Sequence, residues 1–468
     1  MKNIDRREFL KRTGMAAAVV SATSALTSCV GSSESDKVVS AMSGSATPAG
    51  QRPLGEMTYR TNRRGTDKVS LLGYGCMRWP TTVPDASGND IDQKRVNELV
   101  DYAMAHGVNY FDSSPVYCKG FSEMATGKAL AKYPRDSYYI ATKMSNFNSA
   151  LWSKEAGMKM FAESLRYFNT DHIDYYLLHS IGGGGLDNFN KRFMDNGLLE
   201  WLLEQREKGV IRNLGFSFHG EVEVFDWCLA HDDEYHWDFV QIQMNYVDWH
   251  NAKEQNPRNV NSEYLYTELQ KRGIPAIIME PLLGGRLSRL PNHVVNHLKE
   301  RRPEDSAASW AFRFCGTYEG VMTALSGMTY MEHLQDNLHT FSPLEPLTKE
   351  DLDYLEDTAQ LILRYPTIPC NDCNYCMPCP YGINIPAILL HYNKLVNEGS
   401  VPKDEQDPNY RELRKKYLIS YDRAIPAVRQ ADHCIGCGQC ESHCPQNIRI
   451  SKQLARIAKR VEDLRKNL

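Results

Sequence analysis

The stretch QKRVNELVDYAMAHG followed by VNYFDSS, residues 93–114, decides the fold. Its first part sets Val96, Leu99, Val100 and Ala103 at helical spacing and closes on Gly107, a helix-ending residue. Its second part is a short β-rich run that ends on a carboxylate, Asp112. The same alternation repeats along residues 56–345. The other strand candidates are VSLLGYG, SYYIATK, IDYYLLH, NLGFSF, FVQIQMN, PAIIMEP and VMTALSG, and helical stretches such as MKMFAESLRYF and LLEWLLEQREKG lie between them. Eight strands alternating with helices predict a TIM (β/α)8 barrel, an α/β fold. A doubly wound open sheet is the alternative, but no G-x-G-x-x-G turn follows the first strand.

Chemistry in such a barrel sits at the C-terminal ends of the strands. Asp112 ends the second strand candidate, Lys143 the third and His179 the fourth, with Tyr117 five residues after Asp112. Singly, Asp112 reads as a helix cap, Lys143 as a rim charge and His179 as a core histidine. Together, on successive strand ends, they predict one catalytic mouth. Gly182 to Gly185 form a run of four glycines after His179, but no lysine and hydroxyl residue follow as in a phosphate loop. That run reads as a flexible connection or a mobile substrate-side loop.

These residues carry a resemblance. Asn109-Tyr-Phe-Asp-Ser-Ser-Pro-Val-Tyr117, Ala-Thr-Lys143, Leu-Leu-His179 and Arg212-Asn-Leu-Gly-Phe-Ser217 resemble the signatures of aldo-keto reductases. Gly75-Cys76-Met77-Arg78 is similar to a run found in the subset with a C-terminal ferredoxin tail. The resemblance implies reduction of a small-molecule carbonyl, or oxidation of an alcohol, with NAD(P). Tyr117 would be the proton donor, its pKa lowered by Lys143. Asp112 would hold Lys143, and His179 would orient the carbonyl. Ser217 and Gln241 would hold the nicotinamide carboxamide. Ser326, Gly327, Gln335 and Asn337 would meet the phosphate and adenosine end, and Glu123 would shape the loop. Three positions depart from the family pattern: Phe218 for asparagine, Met279 for a stacking tyrosine, and Thr329 for an arginine.

Eight of the thirteen cysteines form two tight runs: Cys370, Cys373, Cys376 and Cys379, then Cys434, Cys437, Cys440 and Cys444. A proline follows each run. The pattern resembles the ligand runs of bacterial ferredoxins, in which the fourth cysteine serves the other cluster. It predicts two 4Fe–4S clusters, one on Cys370, Cys373, Cys376 and Cys444, the other on Cys434, Cys437, Cys440 and Cys379. Zinc and disulfides also use C-x2-C pairs. The first run ends C-x2-C-P where the second ends C-x3-C-P, which sets Cys379 apart. The spacer segments IPAILLHYNKLV and NYRELRKKYLISYDRAI read as helices, so residues 346–468 predict a small α-helical ferredoxin-like domain.

The chain opens with Arg6-Arg7-Glu8-Phe9-Leu10-Lys11, and residues 15–28 carry no charge. A basic start, a short apolar run and Leu26-Thr27-Ser28-Cys29 resemble a twin-arginine signal ending in a lipobox. Residues 1–28 are read as the signal and 29–55 as a flexible linker rich in Ser, Ala and Gly. The expected location is the periplasm or cell envelope, with lipidated Cys29 in the membrane. Twin-arginine export carries folded cargo, which suits a protein that receives its clusters in the cytoplasm. Removing residues 1–28 takes the formal charge from -4 to -7, which argues against a nucleic-acid partner. The clusters are read either as an electron-transfer link to a redox partner protein or as structural groups that fix the tail against the barrel. The alternative reading is a membrane-anchored electron-transfer protein without reductase activity.

Overall fold

The computed structural model describes residues 54–83, 90–364, 367–402, 406 and 408–466. The expected signal, the expected lipidation site at Cys29 and nearly all of the expected linker lie outside them. A hairpin of β1 (Tyr59–Thr61) and β2 (Lys68–Ser70) precedes the barrel strands. These are β3 (Leu72–Gly75), β4 (Tyr110–Asp112), β5 (Tyr139–Met144), β6 (Ile173–Ile181), β7 (Ile211–Phe218), β8 (Phe239–Gln243), β9 (Ala276–Met279) and β10 (Val321–Ser326). They close in chain order, with β10 pairing β3 and every barrel pair parallel. The run VSLLGYG is therefore two strands. Ser70 ends the hairpin and Leu72 starts the barrel.

The period of two in a strand fixes which side chains enter the barrel. Tyr110, Ala141, Tyr175, Leu177, Phe239 and Ile277 pack together inside it. Tyr110, Tyr175 and Phe239 meet edge to face with ring centroids 5.1 Å apart. Two residues further along their strands lie Asp112, Lys143, His179 and Gln241. The parity that buries the aromatic layer thus delivers the polar residues to the layer above it. A recess of about 850 Å³ beside Met57, Tyr59 and Gly107 opens next to the hairpin and contains none of these residues.

The barrel's outer core runs on past residue 345. Helix Lys349–Leu363 buries Leu355, Ala359 and Ile362 in it. Thr348 caps this helix in a capping box with Asp351. The cysteine domain has a separate core, in which helices Ile385–Asn397, Tyr410–Ala424 and Ile450–Lys466 bury Ile388, Leu389, Tyr417, Tyr421, Leu454 and Ile457. The first two of these helices coincide with the two spacer segments read as helical.

The two parts meet at the top of the barrel. Arg286 donates to Thr367 Oγ1 at 2.9 Å, and Asn397 to the carbonyl of Arg289 at 3.0 Å. Gly284 is left-handed at φ +70, and a Cβ there would stand 2.0 Å from the Cβ of Asn371. Gly284→Ala therefore pushes the cysteine domain off the barrel. We expect a loss of about 2–3 kcal/mol from strain and overpacking. A lower melting temperature and reduced iron retention would show it.

Candidate active site

The barrel parity brings three of the four tetrad residues to one mouth, and the loop after β4 adds Tyr117. Lys143 Nζ lies 2.6 Å from Asp112 Oδ1 and donates to the carbonyl of Ser113 at 2.7 Å. Both side chains are buried. Burial pushes the lysine pKa down and the aspartate pKa up, and the ion pair opposes both shifts. The Lys143 ammonium also sits 4.8 Å from the centre of the Tyr117 ring. The Tyr117 and His179 rings meet edge-on at 6.0 Å. The loop carrying Tyr117 turns sharply, with Cys118 and Lys119 both left-handed.

The phenol departs from the expectation. Its pKa is raised well above the ordinary tyrosine value by burial, then by the carboxylate of Asp112. Burial and Asp112 outweigh the nearby Lys143 ammonium, whose charge Asp112 partly offsets at 2.6 Å. Tyr117 is thus a protonated donor across the neutral range.

His179 is held neutral, far below its usual pKa, by burial and by the charges of Lys143 and Arg192. Its Nδ1 is 2.6 Å from Ser145 Oγ and 3.4 Å from Ser114 Oγ. Both contacts are at Nδ1, so Nε2 is the nitrogen left to face a carbonyl. Arg192 donates to the His179 carbonyl at 2.7 Å and also holds Asn146. Ser114, Ser145 and Arg192 were not singled out in the sequence. Ser145 shares the inward parity of Lys143, so the strand pattern contained its signal. Arg192 arrives from a π-helical turn, Asn190–Met194, and nothing local marks it.

Glu123 is buried and accepts from Ser164 Oγ at 2.8 Å and from Thr142. Burial lifts its pKa to about 7. Between its ordinary value and that one, the unfolded chain ionises while the folded chain stays protonated. Stability should therefore fall as pH rises from about 4.5 to 7, by an amount on the order of 2–3 kcal/mol. Glu123→Gln keeps an acceptor and removes the charge, so its melting temperature should change less between pH 5 and pH 8. An equal slope in both proteins would refute this assignment.

The residues expected to hold a nicotinamide lie at two places. Ser217 and Gln241 are neighbours in the β7–β8 register and are buried at the mouth. Ser217 Oγ accepts from the Ser180 N–H at 2.7 Å, and Gln241 reaches Asp112. Ser326 and Asn337 bond each other at 2.9 Å beside Gly327. Ser326 ends β10 and Asn337 lies in the second turn of the eleven-residue helix Met331–Phe341, whose N-terminus suits a phosphate. Gln335 is half-buried on the same helix. This donor set fits the two ends of a nicotinamide nucleotide. Phe218 instead packs on Phe225 at 5.2 Å, and Met279 precedes a left-handed Glu280.

The cysteines group across the two runs. The pKa of Cys370, of Cys373 and of Cys376 is raised in part by Cys444, and that of Cys376 by Cys440 as well. That of Cys440 is raised in part by Cys434 and Cys379. Cys437 lies exposed in the same loop. Burial and neighbouring thiols push most of these pKa values up, to about 11 at Cys370 and Cys440 and about 12 at Cys373. Crowded thiols of this kind are stabilised by a cation that takes up their charge. Among the described residues no three His, Cys, Asp or Glu side chains close on a single metal ion. A cubane does not need that, since its four thiolates are shared among four irons. The donor set fits two cubanes.

The chain matches the aldo/keto reductase family profile over residues 71–360 and that of a 4Fe-4S dicluster domain over residues 369–449. D-arabinose 1-dehydrogenase of Saccharomyces cerevisiae is 34% identical over 145 residues, covering 29% of this chain and 40% of that protein. L-galactose dehydrogenase of Arabidopsis thaliana is 23% identical over 301 residues, covering 60% of this chain and 86% of that protein. This chain thus spans less than half of the first relative and most of the second. The holo form of aldo-keto reductase AKR11C1 from Bacillus halodurans superposes with a TM-score of 0.52 at 25% identity, over 65% of this chain and 96% of that one. The thermostable aldo-keto reductase Tm1743 shares the fold, with a TM-score of 0.51 at 19% identity over 64% and 100% of the two chains. The first matched region takes in every barrel strand and all of the tetrad, and so this chain belongs to the aldo/keto reductase family and carries a C-terminal 4Fe–4S dicluster domain.

Proposed function

We propose that the protein is an exported oxidoreductase that reduces a carbonyl, or oxidises the corresponding alcohol, with a tightly held NAD(P) and two 4Fe–4S clusters. The observation that carries this reading is the buried Lys143–Asp112 pair at 2.6 Å under the ring of Tyr117. Tyr117 donates the proton that the carbonyl oxygen gains on reduction. Lys143 keeps a positive field beneath that phenol, and Asp112 fixes the ammonium's position. Neutral His179, braced by Ser145, directs Nε2 at the same oxygen and favours the charge that develops there. Ser217 and Gln241 hold the cofactor's carboxamide, and Ser326, Gly327, Gln335 and Asn337 its phosphate end. The nicotinamide, when bound, supplies or accepts a hydride. The eight run cysteines hold clusters that exchange single electrons with a separate redox protein.

The signal at residues 1–28 supports export and an anchor at Cys29 supports retention at the membrane. Nicotinamide is not replenished outside the cytoplasm, so the cofactor has to be loaded before export and kept. Anaerobic purification of the mature protein tests this directly. About eight irons and eight sulfides per chain are expected, together with bound nucleotide and carbonyl reductase turnover. Clusters that cycle without nucleotide or turnover would favour the electron-transfer reading instead.

A further inference from the structure

The strand that carries His179 does not run regularly to its end. From Leu178 to Ile181 β6 advances three residues, while β7 beside it advances two, from Phe216 to Phe218. His179 and Ser180 therefore stand opposite the single residue Ser217, as in a β-bulge. Ser180 is left-handed at φ +50, a conformation uncommon for serine. Its N–H donates to Ser217 Oγ at 2.7 Å. Bulges gather beside active sites, where they re-aim a side chain.

One side chain holds both carbonyls of this bulge. Arg192 Nη2 donates to the His179 carbonyl at 2.7 Å, and Nη1 to the Ser180 carbonyl at 3.1 Å. Nε and Nη2 also reach Asn146 Oδ1, at 3.2 and 3.1 Å. The guanidinium lies 5.2 Å from the centre of the Phe147 ring, and that ring lies 4.8 Å from the His179 imidazole. Arg192 is 3% exposed, and every acceptor it meets among the described residues is a neutral oxygen. Burying a cation without an anion costs stability, so packing alone does not account for an arginine here. It arrives on the π-helical turn Asn190–Met194, a distortion that recurs at functional sites.

We propose that Arg192 is a positioning residue that pins the His179–Ser180 bulge and thereby aims two groups of the site together, the imidazole of His179 at the substrate oxygen and the hydroxyl of Ser217 at the nicotinamide carboxamide. The link between them is a single peptide group. The His179 carbonyl and the Ser180 N–H lie in one rigid plane, and Arg192 grips one end of it while Ser217 grips the other. A tilt of that plane displaces the histidine and the serine at once. The second arm of the guanidinium, on the Ser180 carbonyl, holds the left-handed turn in place. Phe147, against the same guanidinium, covers one side of the imidazole. Arg192 acts through these groups and touches neither substrate nor cofactor. The proposal rests on the roles given above to His179 and Ser217.

The test uses the anaerobically purified holoprotein, with NADPH and NADH as binding probes and methylglyoxal as the carbonyl probe. Arg192→Gln should weaken nucleotide binding about tenfold and lower kcat by about 10- to 100-fold, the cost of a small misplacement, with KM for methylglyoxal within about threefold of wild type. Arg192→Lys keeps the charge but has no fork to span two adjacent carbonyls, so it should bind nucleotide within about threefold of Arg192→Gln. A lysine variant with wild-type binding and turnover overturns the proposal, because charge alone then suffices. Should Arg192→Gln fail to fold, the lysine variant decides by itself. A double-mutant cycle with Ser217→Ala reads the coupling apart from turnover. Once Ser217 has lost its hydroxyl, adding Arg192→Gln should weaken nucleotide binding by less than about threefold further. A larger further loss means that the two residues act independently, and it overturns the proposal. If the wild type binds neither nucleotide, the carboxamide reading falls and this proposal with it. If the wild type binds and the Arg192 variants match it, this proposal alone falls.

Discussion

Tyr117→Phe should lower kcat by about 10²- to 10⁴-fold, the range for loss of a positioned general acid. The substitution removes one oxygen and little else. A phenylalanine ring still covers the Lys143 ammonium, 4.8 Å from the ring centre in the wild type, and still meets the edge of His179. The melting temperature and iron content should therefore stay near wild type, which separates chemistry from folding. The wild-type phenol is pushed up by burial and by Asp112, so it remains protonated and competent to donate through the neutral range. Alcohol oxidation needs the opposite state. Its rate should rise with pH well into the alkaline range, and this rise should vanish in the variant. A variant rate within threefold of wild type would remove Tyr117 from the mechanism.

Cys444→Ala and Cys379→Ala should each destroy one cluster, and not the cluster of their own run. Ligand spacing assigns Cys444 to the cluster of Cys370, Cys373 and Cys376, and Cys379 to that of Cys434, Cys437 and Cys440. A cubane that loses one of its four thiolates loses its closed ligand set. Iron should fall to about half in either variant, since each cubane holds four of the irons. The two variants differ in which cluster survives. Losing Cys444 removes the cluster assigned to Cys370, Cys373 and Cys376, so the resonance signal of that cluster should vanish. Losing Cys379 should leave that signal in place. Identical spectra from the two variants would break the crossed assignment. The cysteine loops are also anchored on the barrel, where Asn256 donates to the Pro445 carbonyl at 3.3 Å. Some loss of thermal stability is therefore expected in Cys444→Ala.

The tetrad was legible because strand parity and strand ends are local facts. Asp112, Lys143 and His179 each sit an even number of residues from a packed interior side chain, and that spacing alone puts them in one layer. The crossing of the cysteine runs is an expectation from ligand spacing, in which a short run brings three thiolates to one cubane and the other run brings the fourth. The contact between Asn371 and Glu280 was not legible. Glu280 and Asn371 are 91 positions apart yet bonded at 3.0 Å, and no periodicity links them. The state of the phenol was misjudged on the same ground. The sequence places a lysine near Tyr117, but only the folded chain shows the phenol buried beside Asp112, which together push its pKa up.

By itself the sequence determined the alternation that closes a barrel, the residues that reach its mouth, and the thiols that can share two clusters. Those follow from periods of two and 3.6 residues and from ligand spacing, which act over a few residues at a time. The tertiary structure decided how the dicluster domain sits on the barrel, which groups are desolvated together, and which way each pKa moves. Those depend on burial and on charges brought close by distant parts of the chain, and electrostatics in a low-dielectric interior responds to distance in space, not to position in the sequence.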